Sequence, residues 1–149
     1  IVNSVAGIKK YGVPLIIIDI GTAITFDVID ENSVYQGGAI IPGIGISSEA
    51  LFLKTAKLPK VELYKPEKIV AKNTMDNIRV GMVIGYIGLI EKLIDEIVKE
   101  MKFDSSKLKV VATGGYSSLI SKDINKIDII DKKLTLDGML EIYKMKKGL

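Results

Sequence analysis

Residues 15–20 read Leu-Ile-Ile-Ile-Asp-Ile, and no other stretch restricts the fold of the chain so strongly. Consecutive β-branched side chains suit a strand better than a helix. Successive side chains of a strand point to opposite faces, so an apolar run without alternation predicts a strand buried on both sides. Such a strand needs a sheet around it and helices packed on each face. At 149 residues the chain can form one domain of that kind around a sizeable core, and is short for two.

The rest of the chain supplies that surrounding structure. Val2, Val5, Ala6 and Ile8 have helical spacing, stopped by Gly12 and Pro14. After Gly21-Thr22 a second strand is predicted at Ile24–Ile29, and after Asp30-Glu31-Asn32 a third at Ser33–Ile41, ended by Pro42-Gly43. These three strands read as an antiparallel meander. A short helix is expected at Ser47–Ala56 and an irregular stretch at Leu58–Leu63. A long helix spans Thr74–Met101, with Met75, Ile78, Met82, Tyr86, Leu89, Leu93 and Ile97 as its apolar stripe. Lys109–Ala112 is a buried strand ending in Thr113-Gly114-Gly115. A short helix, a strand at Ile127–Ile130 and a helix at Leu136–Met145 follow. The order βββαβαβα predicts an α/β domain of ribonuclease H-like topology, with right-handed crossovers placing helices on both faces of a mixed sheet.

Composition removes several chemistries. The chain has neither histidine nor cysteine. Ser-His-Asp and Cys-His mechanisms are excluded, as are histidine and cysteine metal sites. A general base must be a carboxylate, a lysine or a tyrosine. The lack of cysteine fits a reducing compartment, and a cytoplasmic location is expected. The net charge is only +3, and the one lysine cluster, Lys144, Lys146 and Lys147, reads as a solvated helix end. No nucleic-acid partner is expected. The apolar stretch Val80–Ile90 has 11 residues with three glycines, against about 20 for a membrane span, so no membrane partner is expected either.

Three glycine-bearing stretches could carry chemistry. In "DIGTAITFD", residues 19–27, Gly21 is expected at positive φ, letting backbone N–H groups approach an anion. The Thr22 hydroxyl can donate to a phosphate oxygen. Asp19 would repel that phosphate unless a cation sat between them, so the pattern points to nucleotide phosphate plus a bound cation. The plain alternative is a tight hairpin with an Asp-capped turn. In "TGGYSS", Gly114 and Gly115 at a strand end would let a nucleotide lie against backbone, or form an ordinary turn. In "YQGGAIIPG" the glycines mark a β-bulge or a wall that a ligand approaches. Thr74 opens the long helix, where its local role is that of an N-cap. Gly81, Gly85 and Gly88 form one small-residue face there, with Val83, Ile87 and Ile90 off the stripe, so a second contact on this helix is expected.

Taken in order, "DIGTAITFD", "YQGGAIIPG", "KLPKVEL", "KNT" and "VVATGG" resemble the type III pantothenate kinases, and the likeness runs on through "LTLDGMLEIY". The resemblance implies one half of a duplicated actin-like ATPase fold, in the superfamily of acetate and sugar kinases, Hsp70 and actin. It implies ATP-dependent phosphorylation of pantothenate, the first step of coenzyme A synthesis. By the same likeness Asp19 would hold a monovalent cation, potassium or ammonium. Thr22 and Gly21 would face ATP, Gly114 and Gly115 its adenosine side, and Thr74 pantothenate. Magnesium and a homodimer are implied as well. The family's Asp-x-Gly-Asn-Thr motif and its Gly-x-Asp-Arg motif, which holds the catalytic base, are absent. No catalytic residue is therefore assigned, and the chain is expected to be a C-terminal half, inactive alone. Residues 1–13 would be a helix and connector from a missing N-terminal half, and 14–149 the C-terminal domain. The rivals are a non-catalytic regulator, as in relatives labelled transcriptional activators, and another kinase or ATPase of the superfamily.

Overall fold

A computed structural model describes residues 1–148; Leu149, the end of the expected domain, lies outside the described residues. The element order is α1 (Val2–Tyr11), β1 (Leu15–Ile20), β2 (Ala23–Ile29), β3 (Tyr35–Pro42), α2 (Ile44–Lys54), α3 (Thr74–Met101), β4 (Lys109–Thr113), α4 (Ser117–Ile120), β5 (Ile129–Ile130) and α5 (Leu134–Lys147). The five strands make one mixed sheet in the order β3-β2-β1-β4-β5. β1 lies at its centre, antiparallel to β2 and parallel to β4.

The isoleucine run does what its lack of alternation requires. Ile16, Ile18 and Ile20 point into a core with Val83, Ile90 and Ile94 of α3, Ile44 of α2 and Ile120 of α4. Leu15 and Ile17 point the other way, into a smaller core with Ala6 of α1 and Leu134 of α5. Helices thus cover both faces. Asp19 continues the second set and faces the α1 and α5 side.

Several boundaries move. The third strand starts at Tyr35 instead of Ser33, because Ser33 has φ +63 in a turn whose Asp30 carboxylate accepts from the Asn32 and Val34 amides. The pairing passes from Val28–Gly37 to Ile29–Tyr35 and skips Gln36, so a bulge is present beside the glycine pair. α2 begins at Ile44, three residues before the expected Ser47, directly after Gly43. Gly43 is drawn in because its N–H donates to the Thr22 carbonyl, 3.0 Å away.

The buried face of α3 also differs. Met75 and Leu89, expected in the stripe, are exposed, whereas Val83 and Ile90, expected off it, are fully buried. The second contact inferred from those off-stripe residues is therefore the domain's own core. Gly81, Gly85 and Gly88 lie on the opposite side, where an added Cβ would meet nothing within 4 Å. The N-cap is Asn73, whose side chain accepts from the Asp76 amide at 2.9 Å; Thr74 is the first helical residue and does not cap. No helix among the described residues is long and apolar enough to cross a membrane.

Candidate functional site at the carboxyl ends of the central strands

Parallel pairing brings the ends of β1 and β4 to one edge of the sheet, with Asp19 opposite Thr113. The chain after β4 is then tied back to β1 by the Tyr116 amide, which donates to the Ile20 carbonyl at 2.9 Å. This closeness defines Gly114. Its φ is +95, and a Cβ there would stand 2.5 Å from Asp19 Oδ1 and 2.6 Å from the Ile20 carbonyl. Only glycine fits on both counts. Gly115 is exposed, and a Cβ there would meet nothing within 4 Å, leaving an open surface at the tip of the strand.

Gly21 behaves otherwise than expected. It is not among the residues with positive φ, and its own N–H donates to the Ala23 carbonyl at 3.0 Å, so that amide is not offered to an anion. A Cβ at Gly21 would be in ordinary contact with Asp19 Oδ1 at 3.5 Å. The close backbone approach at this turn belongs to Gly43, whose Cβ would be 2.3 Å from the Gly21 and Thr22 carbonyl oxygens. Thr22 is exposed at the turn. Together with Gly21, Gly45, Lys60, Glu62 and Tyr116 it lines a cavity of about 540 Å³.

Asp19 opens to the other side. With Asn3, Thr25, Asp27 and Thr135 it lines a second cavity of about 430 Å³. Asn3 Nδ2 donates to Asp19 Oδ2 at 3.0 Å, and Asn3 Oδ1 accepts from Thr135 Oγ1 at 2.8 Å. Asp19 Oδ1, beside Gly21 and Gly114, makes no hydrogen bond among the described residues. Thr113 shares this face by the alternation of β4, is buried, and its Oγ1 has no partner among the described residues. Asp19 and Thr113 bring oxygen donors to one face of neighbouring strands, and oxygen donors suit a hard cation. No group of three or more His, Cys, Asp or Glu among the described residues could hold a metal ion, so a divalent cage built from side chains alone is not offered.

Thr74 stands apart. The 540 Å³ cavity is lined by Lys60–Leu63 of the segment leading toward α3, but not by Thr74. That segment is anchored by Arg79, which is 3 % exposed. Its Nε donates to the Glu62 carbonyl at 3.0 Å, its guanidinium lies 3.7 Å from the Tyr64 ring centroid, and it pairs with Asp76. Sequence reasoning missed Arg79, Asn3, Thr113 and Thr135. Burial and partners distant in sequence mark them, and neither is local information.

A two-cored mixed α/β domain with glycine-rich strand ends at one sheet edge is the class the geometry defines. A family model described as type III pantothenate kinase matches residues 1–96. A type III pantothenate kinase of Finegoldia magna is 51 % identical over 99 % of the chain and 56 % of its own length. One of Persephonella marina is 49 % identical over 96 % of the chain and 55 % of its own length. The chain belongs to the type III pantothenate kinase family, and spans about half the length of these relatives. A solved Campylobacter jejuni structure, described as that of a Baf family transcriptional activator, matches with TM-score 0.66 and 26 % identity over 97 % of this chain and 63 % of that one.

Proposed function

We propose that this chain is the ribonuclease H-like C-terminal half of an actin-like enzyme that transfers the γ-phosphoryl group of ATP to pantothenate, with 4′-phosphopantothenate as product. The observation that carries the reading is identity near one half to two kinases of this family across nearly the whole chain. In this reading Thr22 donates its hydroxyl to a phosphate of ATP in the 540 Å³ cavity, next to Gly21. Gly114 lets β4 close against Ile20, and Gly115 leaves bare backbone for the adenosine side. Asp19 holds a potassium or ammonium ion. When bound, that ion offsets negative charge near the phosphates, and magnesium accompanies the nucleotide. Thr74 contacts pantothenate, positioned by the segment that Arg79 anchors. Positioning and electrostatic stabilisation supply most of the rate in phosphoryl transfer, and the residues proposed here serve those two tasks. A cytoplasmic location belongs to the same reading.

A homodimer is part of the proposal, with the open glycine face of α3 as its surface. Sedimentation of wild type and Gly85→Leu tests it: loss of dimer in the variant is expected, and equal dimerisation excludes that face. A second reading, a regulator without kinase activity, is favoured by the description of the Campylobacter jejuni structure. One assay separates the two. The protein, expressed with the sequence that flanks this chain in its gene, is given ATP, magnesium, potassium and pantothenate. Phosphopantothenate at roughly 1–100 per second is expected. Folded protein that forms none overturns the kinase reading.

A further inference from the structure

We propose that Asn3 and Thr135 are a positioning pair for Asp19: Thr135 fixes the amide of Asn3, and Asn3 holds the carboxylate with one oxygen turned to the gap between Gly21 and Gly114. The inference rests on the reading of Asp19 as a monovalent-cation ligand.

The polarity of the pair is forced by its members. An ionised carboxylate only accepts hydrogen bonds, so the Asn3 nitrogen must face Asp19 Oδ2, as it does at 3.0 Å. The Asn3 oxygen is left toward Thr135, whose hydroxyl must then donate, as it does at 2.8 Å. A flipped amide would set its oxygen against the Asp19 carboxylate, and the Thr135 hydroxyl would accept instead of donating. Asn3 is 7 % exposed, so its amide depends on these two partners. The three residues come from α1, β1 and α5, and Asn3 and Thr135 are 132 positions apart. Their meeting locks both helices of this face onto the end of the central strand.

Asp19 is only half-buried, at the rim of the 430 Å³ cavity. Here one oxygen is held and the other is left beside two glycines. Outer partners that orient a ligating carboxylate have this form, and removing them commonly costs about 10- to 100-fold in metal affinity.

Thallium(I), a potassium surrogate, is titrated into the intact enzyme and followed by its own NMR resonance; the potassium midpoint for activity is measured in parallel. Asn3→Leu and Thr135→Val are expected to weaken thallium binding about 10-fold or more and to raise the potassium midpoint alike. Thr135→Ser, which keeps the donor, is expected to restore the binding lost in Thr135→Val. A merely structural role would lower stability without moving either midpoint. Should Asn3→Leu fail to fold, the two Thr135 variants carry the test, since Thr135 is only half-buried. Thr135→Val binding thallium as wild type does, or Thr135→Ser losing as much as Thr135→Val, overturns the inference. Asp19→Asn separates the two levels. If it too binds as wild type, the cation reading itself falls; if it loses binding while Thr135→Val does not, only the positioning pair falls.

Discussion

Helix α1 meets a polar cluster at each end, and the two clusters are finished differently. At its C-terminal end Asp131, just after β5, is fully partnered. Its Oδ2 accepts from Lys10 and, at 2.7 Å, from Tyr11; its Oδ1 accepts from the Lys133 amide at 2.9 Å. Lys10 also reaches Asp137 of α5 at 3.0 Å. Burial pushes the Asp131 carboxyl up, but the Lys10 and Tyr11 hydrogen bonds outweigh it and hold the group below the usual carboxylate range. At the N-terminal end Asn3 holds Asp19 Oδ2, while Asp19 Oδ1 and the buried Thr113 hydroxyl make no hydrogen bond among the described residues. An unpaired buried hydroxyl is costly, and Thr113 shares that condition with Ser4 and Ser121 among the described residues. The closed cluster is a staple between helices; the open one is where we propose that the cation binds.

The largest expected effect that sharpens this contrast is at Gly114. Gly114→Ala combines a strained φ with a Cβ driven into Asp19 and the Ile20 carbonyl. It should cost about 3 kcal/mol in urea unfolding. Loss below about 1 kcal/mol would show that the two strand ends are not held together as described.

Next comes Asp131→Asn, expected to cost about 2 kcal/mol because it weakens charge-assisted bonds to Lys10 and Tyr11. The pH dependence has a definite sign. A carboxyl with a depressed folded-state value stabilises fully above its unfolded value near about 3.9, and that contribution disappears as pH falls through the lower folded value. Urea unfolding measured from pH 6 down to pH 2 should therefore fall less steeply in Asp131→Asn than in wild type. Equal acid limbs would remove Asp131 from the account.

How much of this was readable beforehand follows from how local each signal is. The centre of the sheet was legible in the isoleucine run, and α3 was legible over all of Thr74–Met101. Which side of α3 is buried was not, because Met75 and Leu89 have the right spacing for a face that the core does not use. "DIGTAITFD" and "TGG" marked the strand tips correctly. The backbone demand, however, falls on Gly114 and Gly43 instead of Gly21, since it depends on a neighbouring strand and a returning loop. Asn3 carries no local mark at all. Its significance depends on Asp19 and on Thr135, and nothing in residues 1–13 reveals either.

Smaller effects test the two tips separately. Thr22→Val should raise the KM for ATP about tenfold, near 1.4 kcal/mol, with little change in stability, because its side chain is exposed. An unchanged KM would detach Thr22 from the nucleotide. Gly115→Ala should alter stability by less than about 0.5 kcal/mol, as its Cβ would enter open space. The contrast with Gly114→Ala one position earlier is the expected result, and equal losses would break it.

The contrast between the open and closed clusters is tested most directly by the rise in thermal unfolding midpoint on replacing a bulky organic cation with potassium at constant ionic strength. A ligand that binds only the folded state raises that midpoint. Wild type and Asp131→Asn should show the same potassium-dependent rise, the variant from a lower baseline, and Asp19→Asn should show none. A rise that survives intact in Asp19→Asn, or one that vanishes in both variants alike, would contradict the assignment of the ligand site to the open cluster.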